Sequence, residues 1–221
     1  MRKINFLFSL PVVLLMGCLH SLTSADISVT LINESYVHEL NPDALAKERD
    51  EINFTTGQSA NNCDSYLKAI KSSAIVESVN DQIIHAEYLA CEVYDLVKDT
   101  KLIKQGFTAS YGELLSGSVD LTSFRSSLNR RARTDGPSLK DIGEQFLTTD
   151  ASSVTYETDE WFYRLELVAI SDLNQDGIQD WIVLLEDKSK VGNYYAGTTL
   201  VVLGPTNVSR FKAVSYRSFI K

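Results

Sequence analysis

The residue pattern of the chain changes near residue 150, and this change limits the folds that the sequence can adopt. Before it lie residues 26–60, a lead-in with one short helix, and residues 61–149, which are mostly helical in pattern. After it, five segments are rich in β-branched and aromatic residues and are separated by turn residues. They are SVTYETD, WFYRLELVAIS, DWIVLLE, GTTLVVLG and RFKAVSYRSF. We therefore expect an α+β fold in which residues 150–221 form an antiparallel β-meander of four or five strands.

The helical region is predicted to be pinned by a disulfide bond. Cys63 lies on the apolar stripe of one helix, and Cys91 lies in a second amphipathic helix that spans about residues 80–98. An antiparallel hairpin that turns near Glu77 brings the two cysteines to the same height. The alternative is two unpaired buried thiols. On the second helix, the side chains expected to face solvent are those of Asp81, His85, Glu92, Asp95 and Asp99.

The first 25 residues have the composition of a secretory signal peptide. Two basic residues precede an apolar run, and small residues then favour cleavage between Ala25 and Asp26. An alternative cleavage site precedes Cys18, because LMGC resembles the lipobox of bacterial lipoproteins, in which the cysteine carries the lipid. Both sites predict an exported protein. The first predicts a periplasmic or secreted form, and the second a form anchored at the outer membrane.

The charge of the chain indicates which partners it suits. It contains 29 acidic and 21 basic residues, a net charge of −8, and loss of the first 25 residues would remove two basic residues and no acidic one. Nucleic-acid binding requires Lys and Arg to neutralise phosphates, so we expect no nucleic-acid partner. An acidic exported chain is instead suited to bind a cation.

A nine-residue stretch, DLNQDGIQD, has the spacing of a calcium-binding loop. Calcium takes about six to eight oxygen ligands, which a loop supplies from polar residues at alternate positions. Gly177 occupies the sixth position, where a sharp turn favours glycine. The twelfth position is Val183 rather than the bidentate Glu of an EF-hand, and a strand rather than a helix follows. The predicted calcium ligands are Asp172, Asn174, Asp176, the carbonyl oxygen of Ile178, and Asp180.

Residues 172–180 match the start of an EF-hand loop, and they more closely resemble the calcium loops of FG-GAP repeats, which join two antiparallel strands. The resemblance covers about 20 residues and occurs once, so it implies the chemistry of the loop and its β context but no propeller. It implies a structural calcium ion that locks the hairpin, with water or a residue such as Glu186 completing the coordination. The alternative is an acidic turn that binds no metal, since Asp, Asn and Gly are also ordinary turn residues.

Two other groups of residues are candidates for a partner surface. An arginine-rich segment could contact an acidic partner, although it could equally be a solvated face that balances nearby acids. Two tyrosines near a glycine-flanked hairpin tip could be interface anchors or strand-end core residues. The candidate residues are Arg130, Arg131, Arg133, Tyr194 and Tyr195. We interpret His85 as a surface histidine beside a carboxylate one turn away.

The sequence contains no catalytic motif that we recognise, so no catalytic residue is proposed from it. We favour a non-enzymatic binding or interaction protein, stabilised by calcium, whose partner is a protein or an envelope component. Membrane contact is expected only if Cys18 is lipidated. One alternative is a hydrolase that uses Asp and Glu residues in a cleft between the two regions. Another is an inhibitor or immunity-type protein that blocks an exported enzyme. A concave site with convergent polar groups would favour an enzyme, and an exposed aromatic patch a binding module.

Overall fold

The computed structural model describes residues 28–107, 110–130, 136–205 and 210–221. The predicted signal peptide and its Cys18 lie outside these residues. The strands are β1 Val29–Asn33, β2 Ile52–Asn53, β3 Ser59–Ala60, β4 Lys101–Gln105, β5 Leu147–Thr149, β6 Ser153–Glu157, β7 Trp161–Ser171, β8 Asp180–Ser189, β9 Tyr195–Val202 and β10 Ala213–Ser215. The α-helices are α1 Pro42–Ala46, α2 Cys63–Ser72, α3 Val79–His85, α4 Leu89–Val97, α5 Tyr111–Ser118, α6 Leu139–Gly143 and α7 Tyr216–Phe219. The 3-10 helices are Glu34–Tyr36, Ala86–Tyr88, Ser127–Arg130 and Glu144–Phe146.

An eight-stranded sheet organises the molecule. Six of its strands follow the order β10-β9-β8-β7-β1-β4, while β6 pairs with β7 and β5 pairs with β6. The five strands after residue 150, β6 to β10, pair antiparallel with their neighbours in the sequence. Strand β7 is 11 residues long. Strand β8 pairs with one edge of β7. The other edge of β7 carries both β6 and β1. The chain therefore has the expected mixed α+β composition, with a large and mostly antiparallel sheet.

Three strands of this sheet come from the part of the chain before residue 150. Strand β1 lies in the segment predicted to be a lead-in, and β4 and β5 lie in the segment predicted to be helical. Strand β4 pairs parallel with β1 at the edge of the sheet, and all five of its residues are exposed. Such a strand lacks the alternation of apolar and polar residues on which the prediction of strands depends. The sheet is therefore wider than the sequence indicated.

Helices cover both faces of the sheet. Along β8, side chains point alternately to opposite faces, so that Trp181 and Val183 join one core cluster and Ile182 joins another. On the first face, β7, β8 and β9 pack against α5 and α6 through Leu115, Leu139, Leu165, Val183 and Leu200. On the second face, β7 and β8 pack against α4 through Val93, Val97, Val168 and Ile182. The two faces are thus buried by different helical segments.

Helix α5 approaches the sheet so closely that only glycine fits at its second residue. A Cβ atom added to Gly112 would lie 2.1 Å from the carbonyl oxygen of Ser153 and 2.4 Å from that of Asp150. A Cβ added to Gly117, in the same helix, would meet nothing nearer than a lysine methylene at 3.5 Å. The close packing of helix and strand therefore requires glycine at Gly112, whereas it does not require glycine at Gly117.

The disulfide bond between Cys63 and Cys91 is present, with a Cα–Cα distance of 5.3 Å. It lies in a third core cluster formed by α2, α3, α4, α7 and the small hairpin of β2 and β3. The predicted second helix is divided into α3 and α4 by the 3-10 helix Ala86–Tyr88. The prediction that Asp81 and Glu92 face solvent is wrong, because both are buried.

The two buried carboxylates are held by specific donors. Asp81 accepts hydrogen bonds from the backbone N–H of Asn53 at 2.9 Å and from the hydroxyl group of Ser78 at 2.5 Å. Glu92 accepts one from the hydroxyl group of Tyr66 at 2.5 Å. Such hydrogen bonds offset the cost of removing a charged group from water. The amphipathic pattern alone cannot reveal them, because Asn53 and Tyr66 lie far away in the sequence.

Candidate binding cleft

The outer edge of β9 is only partly covered by another strand. Strand β9 pairs with β8 along its whole length, from Tyr195 to Val202. On its other edge it pairs with β10 only at Leu200, Val201 and Val202. The chain then turns into the short helix α7. Among the described strands, none pairs with this edge of β9 between Tyr195 and Thr199.

A cleft of about 480 Å³ lies beside this open edge. Its floor is formed by Ala196, Gly197 and Thr198 of β9. One wall belongs to the helical region and the opposite wall to the segment after α5. The first wall contains residues 75–77, Gln82 and His85, and the second wall contains residues 123–125. The far end of the cleft is formed by Val214, Ser215 and Ser218. Tyr194 lies at the start of β9, where the cleft meets the hairpin.

Asp187 fixes one wall and Tyr194 to the sheet. Its side chain is fully buried and accepts hydrogen bonds from the backbone N–H of Ser127 at 2.7 Å and the hydroxyl group of Ser127 at 2.6 Å. The hydroxyl group of Tyr194 donates to the same carboxylate at 3.1 Å. Burial and the neighbouring Asp187 raise the pKa of Tyr194, so that its hydroxyl group stays neutral and remains a donor. The positions of the wall and the tyrosine therefore depend on one buried acid.

His85 lies in the other wall and is oriented by two buried residues. Its Nε2 atom is 2.8 Å from the hydroxyl oxygen of Tyr66 and 3.2 Å from Oε1 of Glu92. Burial, followed by the charge of Glu92, raises the pKa of Tyr66 well above its usual value. The interpretation of His85 as an ordinary surface residue misses this network, because its partners are Tyr66 and the buried Glu92 rather than an exposed acid.

The network has the histidine and carboxylate of a general base, but the hydroxyl group that the described contacts place beside it belongs to Tyr66, which is fully buried. A hydroxyl nucleophile must lie within hydrogen-bond reach of the base that activates it. The hydroxyl group of Ser123 donates to the carbonyl oxygen of Asp120 and accepts from the N–H of Ala213. The hydroxyl groups of Ser215 and Ser218 contact each other at 2.9 Å. These contacts are suited to holding the cleft in shape.

An ion pair joins the two walls at the surface. Nη1 of Arg125 lies 2.8 Å from Oε1 of Glu77, and these side chains are 87% and 69% exposed. Pairs exposed to this degree contribute little to stability, since solvent screens them. The pair therefore supplies a positive and a negative group beside the cleft, and the cost of separating the two groups is small.

The candidate partner residues do not form one patch. Tyr194 lines the cleft, and its ring packs edge-on against Trp161 at 5.7 Å. Tyr195 instead lines a second pocket of about 380 Å³ with Tyr36 and Glu166. Among the arginines, Arg131 and Arg133 lie outside the described residues, and only the backbone of Arg130, at the end of a 3-10 helix, is described. Of the two predicted residues whose side chains are described, Tyr194 lines the cleft and Tyr195 does not.

The predicted calcium ligands lie on the turn between β7 and β8. Asp172 accepts hydrogen bonds from the N–H groups of Asp176 at 3.1 Å and Gly177 at 2.9 Å. The carboxylate of Asp176 accepts from the N–H of Ile178 at 2.8 Å and from the side-chain amide of Asn174 at 2.9 Å. Gly177 has a φ of 85°, as the sharp turn requires. The acidic side chains therefore already stabilise the turn by binding its backbone.

Asp180 differs from the other predicted ligands because it is fully buried. It accepts hydrogen bonds from the N–H groups of Leu173 at 2.9 Å and Gly204 at 2.8 Å. Burial raises the pKa of its carboxyl group, and the nearby Asp176 adds to this effect. Within the described part of the chain, no group of three or more His, Cys, Asp or Glu side chains is placed to hold a metal ion.

Comparisons with known proteins give this cleft no precedent. No family model matches the chain, and searches of curated proteins and of solved structures find no match. Among the described helices, none is both long enough and apolar enough to span a membrane. The function must therefore be argued from the geometry of the chain itself.

Proposed function

We propose that this chain is an exported, non-enzymatic binding protein that holds its ligand in the cleft beside β9. The observation that carries the proposal is the cleft itself, with a volume of about 480 Å³ and a lining that is partly apolar. Ligand sites are commonly concave and apolar, with a few polar groups in fixed positions. Asp187 fixes one wall and the network of Tyr66, His85 and Glu92 fixes the other.

The hydrolase alternative gains less support from the same cleft. Hydrolysis by two carboxylates requires an acid and a second carboxylate that both face the reacting bond. In the described lining, Glu77 is paired with Arg125. Glu92, behind the wall, accepts a hydrogen bond from Tyr66 and contacts His85. Neither arrangement presents two free carboxylates to a substrate, so binding without catalysis is the simpler function.

The export of the chain is part of the proposal. A disulfide bond persists in an oxidising compartment, which fits the buried pair Cys63 and Cys91. Cell fractionation of the full chain and of Cys18→Ser would distinguish the two cleavage sites. A soluble form that the substitution does not change supports cleavage after Ala25, whereas membrane attachment that the substitution abolishes supports lipidation of Cys18.

Calcium binding at residues 172–180 is the second part of the proposal, as a structural role. Each carboxylate oxygen has two lone pairs, so an oxygen that accepts one N–H retains capacity for a cation. Asp172, Asn174 and Asp176 would supply exposed oxygens, whereas Asp180 would take part only if its buried carboxylate became accessible to the ion. The ion would neutralise the crowded carboxylates and lock the hairpin between β7 and β8.

Calorimetric titration with calcium tests this second part. We expect saturable binding with a dissociation constant of about 10⁻⁴ to 10⁻³ M and a raised melting temperature. The double variant Asp172→Ala, Asp176→Ala should lose both effects. A matched control, Asp159→Ala with Glu160→Ala, removes two exposed acids from another turn and should keep them. No heat of binding up to millimolar calcium would reduce the loop to an acidic turn.

A fragment screen by NMR tests the binding cleft directly. Fragments that bind should shift the resonances of Ala196, Gly197 and Thr198. Thr198→Trp places a large ring in the cleft and should abolish these shifts, whereas Thr148→Trp, on the exposed strand β5, should not. If no fragment perturbs the cleft, or if Thr198→Trp binds the same fragments equally well, the cleft is not the binding site.

A further inference from the structure

We propose that the natural ligand of the cleft is an extended polypeptide segment of a partner protein, which adds to the open edge of β9 as a further strand. This inference rests on the proposed binding function and specifies its ligand. Strand addition is a recurrent mode of peptide recognition, in which main-chain hydrogen bonds provide affinity and pockets for alternate side chains provide specificity.

The register of the hairpin determines which backbone groups point toward the cleft. The N–H of Ser189 donates to the carbonyl oxygen of Tyr194 at 2.9 Å, so these two residues form a hydrogen-bonded pair. In antiparallel strands, hydrogen-bonded and non-hydrogen-bonded pairs alternate. Ala196, paired with Asp187, therefore directs its backbone groups to β8. Tyr195 and Gly197 direct theirs to the opposite, open edge.

Among the described strands, none pairs with these open-edge groups. Strand β10 begins to pair only at Leu200, and the described backbone hydrogen bonds outside the strands include none to Tyr195 or Gly197. Gly197 is nevertheless buried, and buried backbone groups in folded proteins are nearly always paired. An extended segment in the cleft would supply N–H and C=O groups at the spacing that this edge requires.

The dimensions of the cleft suit a short run of apolar residues. The open edge from Tyr195 to Thr199 is about five residues long, and an added strand advances by about 3.4 Å per residue. Its side chains would alternate between the two walls, one carrying Ile75 and Val76 and the other Phe124. We therefore expect four or five residues, apolar on both sides.

The charges around the cleft select a partner segment of low net charge. Among the described residues of the lining, one side chain is acidic, Glu77, and one is an arginine, Arg125, and these two are paired with each other. A strongly charged segment would find no unpaired counter-charge among these groups, and burying it unpaired would be costly. An uncharged apolar segment incurs no such cost, and it can separate the exposed pair at small expense.

A library of random hexapeptides, acetylated and amidated at their ends, provides the probe. Peptides captured by the purified protein are sequenced, resynthesised and titrated, and amide hydrogen exchange is measured at Tyr195 and Gly197. We expect enrichment of uncharged peptides with β-branched or aromatic residues, together with slower exchange at both amides. In an added strand, alternate peptide N–H groups face β9. N-methylation of this set of nitrogens should abolish binding, whereas N-methylation of the other set should not.

Two substitutions at one position separate the backbone from the side chain. Tyr195→Ala and Tyr195→Pro both remove the ring, but only proline removes the N–H that points to the cleft. Proline is tolerated at the first residue of a strand when its nitrogen faces an open edge. Because one backbone hydrogen bond is lost, Tyr195→Pro should bind the selected peptides about 3 to 10 times more weakly than Tyr195→Ala.

The outcomes distinguish this inference from the function on which it rests. Equal affinity of the alanine and proline variants, or fragments that bind the cleft while no peptide is enriched, would overturn strand addition and leave the binding cleft intact. Absence of both fragment and peptide binding would overturn both. Protection of the same amides by concentration-dependent dimerisation, without added peptide, would identify a second copy of the chain as the occupant and overturn the partner segment.

Discussion

Replacement of Asp187 by alanine should destabilise the protein and release one wall of the cleft. The carboxylate is fully buried on β8 and accepts hydrogen bonds from the N–H and hydroxyl groups of Ser127 and from the hydroxyl group of Tyr194. Ser127 begins the 3-10 helix of the segment that carries Phe124 and Arg125. Without Asp187, this segment loses the two hydrogen bonds that Ser127 makes to β8.

The expected loss in the free energy of unfolding is about 3 to 5 kcal/mol. A hydrogen bond to a charged acceptor contributes about 1.5 to 3 kcal/mol, so the three described bonds together contribute at most about 9 kcal/mol. The charge also costs free energy to bury, and water can reach donors freed near the cleft, so the net effect is smaller. Asp187→Asn keeps one acceptor oxygen and should lose roughly half as much.

Urea denaturation followed by fluorescence measures this loss. We expect a lower midpoint with an unchanged slope, since the surface exposed on unfolding changes little. Tyr194→Phe should cost about 1 kcal/mol in the native chain and less in the Asp187→Ala chain, because the two side chains interact. A loss below about 1 kcal/mol for Asp187→Ala, or full additivity with Tyr194→Phe, would refute the role assigned to this carboxylate.

Three further predictions concern the rest of the fold. Replacement of Cys63 and Cys91 by alanine removes a covalent link between residues 28 positions apart in the sequence. In the chain-entropy model, this should lower the free energy of unfolding by about 3.6 kcal/mol, which urea denaturation would measure. A loss below about 1 kcal/mol would contradict an entropic origin of the stabilisation. Gly112→Ala should lower the free energy of unfolding by about 3 kcal/mol or more, because its Cβ would lie 2.1 Å from a backbone oxygen. Gly117→Ala should be neutral or stabilise the helix by up to about 1 kcal/mol. Equal effects of the two variants on the melting temperature would refute the packing argument. The N–H and hydroxyl groups of Ser138 hold the pKa of Asp141 below its usual value, so its stabilisation is fully present above the unfolded pKa of about 4 and is lost as the pH falls through the folded pKa. The stability difference between the native chain and Asp141→Asn should therefore shrink below about pH 4, and a difference that is constant with pH would contradict this sign.

Local patterns were sufficient to predict much of the fold. The strands after residue 150 are rich in β-branched and aromatic residues and lie between turn residues, which is a signal carried by neighbouring residues. The disulfide followed from the two cysteines that lie outside the predicted signal peptide and from helical spacing. Strand β4 gave no such signal, because it is exposed at the sheet edge and pairs with a strand about 70 residues earlier.

The cleft could not be predicted from the sequence, because it depends on contacts between distant segments. Asp187 binds Ser127, 60 residues away, and nothing in the local pattern of β8 marks it as buried. Glu92 has the spacing of a solvent-facing residue, yet it is buried and accepts a hydrogen bond from Tyr66. The open edge of β9 exists because β10 is three residues long, whereas β9 has eight. Tyr194 was predicted as a candidate contact from its turn context, whereas His85, which also lines the cleft, was interpreted as a surface histidine.

Amide hydrogen exchange at Tyr195 and Gly197 tests the central claim most directly. The rates are measured by NMR in the free protein and in the presence of a saturating apolar hexapeptide selected from the library. The account predicts that both amides exchange at least about ten times more slowly with peptide bound, because each gains a hydrogen bond on the open edge of β9. Unchanged rates at both amides, with the peptide bound elsewhere, would contradict it.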